Sequence, residues 1–274
     1  MRLYISADIE GIAAVVSREH QSPEGFEYDQ ARTWMTDAVL AAAEAARECG
    51  VTEVVVSDSH GNMQNLKLDR LPQFVRVVRG RPRPLSMMQG IEVGQYAAAM
   101  FIGYHAGSTA LNGILAHTMR GVVVREVKLN GRTVPEAGVN AAIAGHFGVP
   151  VIMASGDDAC LAEIRDLLGD IECAEVKQAY SLMSALCLTP AAEQALIREK
   201  TKAAFARLGD FKPWRIAGPI ALDLDFKHRL PAEILGMQRF VERTHGYGIR
   251  YMAEDITDAQ RFLVMALGYS SVLV

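Results

Sequence analysis

The chain predicts an α/β fold: a three-layer α/β/α domain on a largely parallel sheet, with a second, smaller α+β domain. Three observations predict it. Short unbroken apolar runs, among them TEVVVS (52–57), AAAMFIGY (97–104) and VPVIMA (149–154), alternate with helical stretches through the first 170 residues. Strands of that kind are buried on both faces, as in parallel sheets covered by helices. Beyond about residue 171 the pattern changes, and IALDLDFK (220–227) alternates strictly between apolar and polar, the mark of a strand with one buried and one wet face. Finally, 274 residues, half of them hydrophobic, suffice for a large core in one large domain or two smaller ones. The expected division is 1–170 and 171–274.

Taken in order, residues 2–7 read as a strand. Residues 28–49 read as a helix, with Ala31, Met35, Ala38, Val39, Ala42, Ala46 and Cys49 on one stripe and Gly50 as its stop. Strands follow at 52–57 and 97–104. Within VVVREVKLNGRTVP (122–135) the pair Asn130-Gly131 signals a hairpin. Pro135 suits the first position of a helix running to His146, and 149–154 is a further buried strand. In the second part, EVKQAYS and ALCLT read as strands, Thr189-Pro190 opens a helix ending near Gly209, and 220–227 is a strand. A last helix spans 255–267 with Asp255 as N-cap.

Composition excludes several classes. The formal net charge is −4 with no basic stripe, so no nucleic-acid partner is expected. No run of apolar residues is long enough to span a membrane. Asp8 and Glu10 interrupt the first apolar run, which does not read as a signal peptide. The four cysteines (Cys49, Cys160, Cys173, Cys187) lack CxxC or zinc-finger spacing, and reduced thiols in the cytoplasm are the expected reading.

Ligands of open α/β sheets bind beyond the carboxyl ends of the strands. After the first strand come Asp8 and Glu10, which share a face of the extended chain and repel unless a cation lies between them. After the second comes SDSHG, with Asp58 and His60; after the third, GYHAG, with His105. GILAHTM carries His117, and Glu136 opens the helix after the hairpin. SGDD, with Asp157 and Asp158, follows the 149–154 strand. A lone histidine after a strand is ordinarily a loop residue, and two acids one residue apart can be an exposed strand end. Asp8, Glu10, His60, His105 and Glu136, however, lie on four or five different segments at one predicted sheet edge. Three carboxylates and two imidazoles without thiolates form a donor set suited to two divalent ions such as Zn²⁺ or Mn²⁺, and two-metal hydrolases hold such ions close together. Asp58 reads equally as a partner that orients His60 or as a turn residue. His146 suits a helix C-terminus, and His20, His228 and His245 read as surface residues.

The motifs SADIEGI, VVSDSHGNM, FIGYHAG, LAHTM, LNGRTVPEAGVNA, ASGDD and EVKQA, in this order, resemble the zinc-dependent D-aminopeptidases of the dipeptide transport protein type. The likeness runs from residue 2 to about 190, and more faintly beyond. It implies metal ligands at Asp8, Glu10, His60, His105 and Glu136 and a catalytic histidine at His117. It further implies two Zn²⁺ per subunit, a second smaller domain and a large homo-oligomer, a decamer in the characterised type. Short peptides with an N-terminal D-residue, such as D-Ala-D-Ala, are the implied substrates. Asn140 and Asp157 match family motifs without a role that follows from the residues. Pro135 replaces the family's glycine, and the loop AGSTALNGILA between His105 and His117 departs from the family pattern.

The expected chemistry is attack of metal-bound hydroxide on the first peptide bond. Asp8 is the expected bridging ligand, and His117 the group that stabilises the oxyanion or protonates the leaving amine. The alternatives are another two-metal hydrolase such as a phosphoesterase, against which stands the lack of a glycine-rich phosphate loop or basic cluster, and a non-catalytic peptide-binding protein.

Overall fold

The computed structural model describes residues 1–270; of the range expected for the second domain, 271–274 lie outside the described residues. The strands are β1 (Arg2–Ala7), β2 (Glu53–Asp58), β3 (Val75–Val78), β4 (Ala98–Tyr104), β5 (Val124–Leu129), β6 (Arg132–Thr133), β7 (Val151–Asp157), β8 (Glu172–Ser181), β9 (Ser184–Cys187), β10 (Ile220–Phe226), β11 (Val241–His245) and β12 (Gly248–Ala253). The helices are α1 (Tyr28–Glu48), α2 (Glu136–His146), α3 (Asp158–Leu168), α4 (Pro190–Ala206), α5 (Arg229–Leu235) and α6 (Ile256–Ser270).

Seven strands form the first sheet in the order β3-β2-β1-β4-β7-β8-β9, parallel throughout except for the last pair. The chain winds outward from β1 through α1 to β2 in one direction, and from β4 through α2 to β7 in the other. Right-handed crossovers therefore put α1 and α2 on opposite faces; α4 packs on α1 and α3 beside α2. All residues of β4 and β7 are buried, as the unbroken apolar runs require. Helix α2 is buried from Glu136 to Gly145, because α6 covers the side that faces away from the sheet. A five-stranded antiparallel sheet, β11-β12-β10-β5-β6, makes the second layer system. Its central β10 buries alternate residues, as IALDLDFK predicts.

The α/β class is thus as expected, but strand pairing does not follow a break at 170. Strands β8 and β9 extend the first sheet, whereas the β5–β6 hairpin leaves it to join the second. The hairpin turn itself is as read: Asn130 (φ 50°) and Gly131 (φ 80°) are both left-handed, the conformation Asn-Gly tolerates best. Thr189 caps α4 through Ala192 N–H, and Asp255 Oδ1 accepts from the amides of Thr257 and Asp258 at the start of α6. The order of β1, β2 and β4 places the switch point of the sheet at β1 and β4, the strands that run into Asp8 and His105.

Candidate active site

The site is assembled where three neighbouring strands end. Asp8 follows β1, His60 follows β2 and His105 follows β4. Glu136 is the first residue of α2, where the N-terminal end of the helix dipole favours a carboxylate. Glu10 lies on the turn after β1, and His117 on the loop between β4 and β5. All six residues come together. Asp8, Glu10 and His60 form one group whose oxygen and nitrogen atoms lie within 4.8 Å of one another; Asp8, His105 and Glu136 form another, and Glu10, His105 and His117 a third. His60 Nδ1 is 2.8 Å from Glu10 Oε2 and 3.4 Å from Asp8 Oδ1. His105 Nε2 is 3.6 Å from Asp8 Oδ2 and 3.5 Å from Glu136 Oε1. The two oxygens of Asp8 therefore face different imidazoles. His117 Nε2 is 3.7 Å from Glu136 Oε1 and 3.9 Å from Glu10 Oε1, and its ring stacks on His105 at 4.1 Å between centroids.

Each imidazole donates its other N–H to a backbone carbonyl: His60 Nε2 to Gln21 (2.8 Å), His105 Nδ1 to Ala106 (3.0 Å) and His117 Nδ1 to Leu115 (2.8 Å). A carbonyl oxygen only accepts, so in each ring that nitrogen carries the hydrogen. The nitrogen facing the carboxylates is left with its lone pair in the neutral form. Gln21 also donates from Nε2 to Glu10 Oε1 at 2.7 Å. Glu136 Oε1 accepts from Met119 N–H.

Three acids share a buried space, and their electrostatics reflect it. Burial, with the neighbouring Glu10 charge, pushes the Asp8 carboxyl up to about 7. Burial acts on Glu10 in the same sense, but the imidazoles, His60 first, outweigh it and hold Glu10 well below the usual carboxylate range. Burial opposes charging of His60 and His105. The facing acids, Glu10 for His60 and Glu136 for His105, overcome it and raise both, His105 to about 10. His117 moves down, through burial and then the neighbouring His105. Carboxylates that frustrate one another when buried, facing lone pairs of imidazoles held from behind, fit divalent cations.

The remaining candidates sort differently. Asp58 is a turn residue: it accepts from the amides of Asn65 and Leu66 and from Asn65 Nδ2, and does not bond the His60 ring. Asn65 Nδ2 also donates to the His60 carbonyl, so Asp58 fixes the loop that carries His60. Asp157 caps α3 through Cys160 N–H and accepts from Ile114 N–H. Asn140 donates to the Tyr104 hydroxyl, which donates to Ser6 in a buried network beneath the sheet end. His20 is not a surface residue; it is buried, bonded to Ser17 and paired with Glu27 at 2.9 Å. His146, His228 and His245 are exposed. Gln21 and Leu115 were not anticipated. Gln21 lies in an irregular stretch and carries no spacing signal. Leu115 acts through its carbonyl at a left-handed φ of 53°, with Met119 at 60° on the other side of His117. Such a backbone around a polar residue marks a shaped loop.

The sheet, its switch point and this donor set define the class as a metal-dependent hydrolase. A D-aminopeptidase family model (Peptidase_M55) matches residues 1–265, and the chain belongs to that family. A D-aminopeptidase of Bacillus subtilis (strain 168) is 33% identical over 267 residues, covering 97% of this chain and 96% of that protein. The solved structure of the Zn-dependent D-aminopeptidase DppA from Bacillus subtilis, described as a self-compartmentalizing protease, matches with a TM-score of 0.94 at 31% identity, covering 99% of this chain and 98% of that one.

Proposed function

We propose that this protein is a zinc aminopeptidase that removes the N-terminal D-residue from short peptides of the D-Ala-D-Ala kind, using two zinc ions per subunit. The observation that carries the two-ion reading is the sharing of Asp8. Its Oδ1 faces His60 and its Oδ2 faces His105, which suits a bridging carboxylate. Glu10 and His60 would complete one coordination sphere, His105 and Glu136 the other. Zinc bound there would lower the pKa of water to about 7 and polarise the scissile carbonyl.

The chain's own residues supply the rest. His117 has its Nδ1 engaged by Leu115, so Nε2 is the atom that takes and returns a proton. It takes the proton released as water attacks the carbonyl carbon, and passes it to the leaving amine nitrogen as the C–N bond breaks. His117 is also the most exposed side chain of the six, at 21% against 2–12% for the others, which suits a group that meets substrate. Stacking on His105 sets the plane of its ring. D-selectivity is supported by the family and by the Bacillus subtilis D-aminopeptidase.

Self-association into a large homo-oligomer, with a decamer as the working size, is part of the same reading. It is supported by the description of DppA and by the β8–β9 hairpin, where Tyr180, Leu182, Met183 and Leu186 are exposed apolar side chains. Four free thiols suit a reducing compartment, the cytoplasm. The test is hydrolysis of D-Ala-D-Ala beside L-Ala-L-Ala and p-nitrophenyl phosphate, with and without chelator. D-Ala-D-Ala should be cleaved fastest, chelator should abolish cleavage and zinc should restore it. Preferential cleavage of the phosphate ester would put the protein among two-metal phosphoesterases instead.

A further inference from the structure

The turn that carries Glu10 is gripped from beneath by a buried cation. Lys177, on β8, is 2% exposed. Its Nζ donates to the carbonyl of Ile12 at 2.8 Å and to those of Glu10 and Val15, each at 2.5 Å. Three donors meet three carbonyls, and among the described residues no carboxylate lies within ion-pair distance of this ammonium. Glu193, buried in the first turn of α4, accepts the amide of Ala13 at 3.1 Å. A third attachment is to β4: Gly11 N–H donates to the Gly103 carbonyl at 2.8 Å. A buried lysine is costly unless its donors are satisfied and its charge has work to do; a methionine would fill the same space without that cost.

We propose that Lys177 and Glu193 are positioning residues for zinc: together they fix the Glu10–Val15 turn, and so aim the Glu10 carboxylate at the ion it would share with Asp8 and His60. This rests on the two-zinc reading above. The turn has no regular secondary structure to hold it; only two internal bonds, Ile12 to Ile9 and Val15 to Ile12, run along it. Without the ammonium, the buried carbonyls of Glu10 and Val15 lose their donor and that of Ile12 keeps only the Val15 amide, and the turn must open to water to satisfy them. Glu10 itself carries one of these carbonyls. Asp8, at the strand end, would stay in place, so the loss should fall on one ion and not on both.

The test compares wild type with Lys177→Met and Glu193→Leu. Zinc per subunit is measured by elemental analysis after equilibration against a graded series of chelator, alongside far-ultraviolet circular dichroism. Wild type should hold two ions. Each folded variant should release one of them at about 10–100-fold weaker affinity, the scale seen when residues behind a metal ligand are removed, and keep the second. Excess zinc should restore kcat, which a general loss of structure would not allow. Variants with wild-type dichroism that retain both ions at wild-type affinity would overturn the positioning role and leave the two-zinc reading intact. If Lys177→Met does not fold, Glu193→Leu, altered on α4 and bonded to a different residue of the turn, decides by the same readout. A wild-type protein that binds no zinc would sink both.

Discussion

His60, His105 and His117 each give one nitrogen to a backbone carbonyl and turn the other toward the acids. The backbone thus chooses the tautomer, and the side chains need no further partner to do so. For His117 this gives a definite outcome. His117→Ala should lower kcat by about 10²–10⁴-fold, the usual contribution of a positioned acid–base group, and leave the zinc content at the wild-type value by metal analysis. Loss of an ion would make His117 a ligand. At Glu193, burial pushes the carboxyl up to about 8 from an ordinary value of 4.5. The folded state then binds more protons than the unfolded one between these values, and this group's contribution to stability falls as pH rises through that window. Thermal melts from pH 4.5 to 8 should show that slope, reduced in Glu193→Gln. Asp8, Glu10, His60, His105 and Glu136 were legible in the sequence because each sits where a predicted strand or helix meets a loop. Gln21, Lys177 and Glu193 were not, since their partners lie far along the chain or are backbone atoms. His20 misled because its burial comes partly from lying against Trp34 on α1, 6.2 Å between ring centroids.

At the scale of elements, the turn after β1 lies so close on β4 that a Cβ at Gly11 would sit 1.9 Å from the Tyr104 carbonyl oxygen. The glycine serves this close approach. Gly11→Ala should cost about 1–3 kcal/mol, as overpacked sites do, and weaken zinc binding, both readable from denaturant unfolding with and without zinc. Central elements were the easiest to read: β1, β2, β4, α1 and α2 carry full apolar runs or stripes. Strands β3 and β11 escaped because little of them is buried; β3 has no fully buried residue and β11 only Val241. Helix α3 went unread because its cap, Asp157, belongs equally to the end of β7.

For the whole molecule, the exposed side chains of the β8–β9 hairpin make assembly testable. Leu186→Asp combined with Tyr180→Asp, both exposed on the hairpin, should shift light-scattering mass toward smaller species without altering the Leu115–Leu182 backbone bond that steadies the His117 loop. Strand pairing does not follow the expected break near 170, because β8 and β9 carry exposed residues and their pattern resembles a separate lobe, although β8 pairs with β7 and β9, at the edge, with β8. Interleaving of the two sheets has a consequence for how the protein is made. On the ribosome, β5 and β6 emerge early, yet Leu129 finds its partner only when Leu222 has been synthesised. Until then β5 offers an open edge to any neighbouring nascent chain. Lys128 and Arg125, charged residues on that strand, are placed to discourage such a meeting.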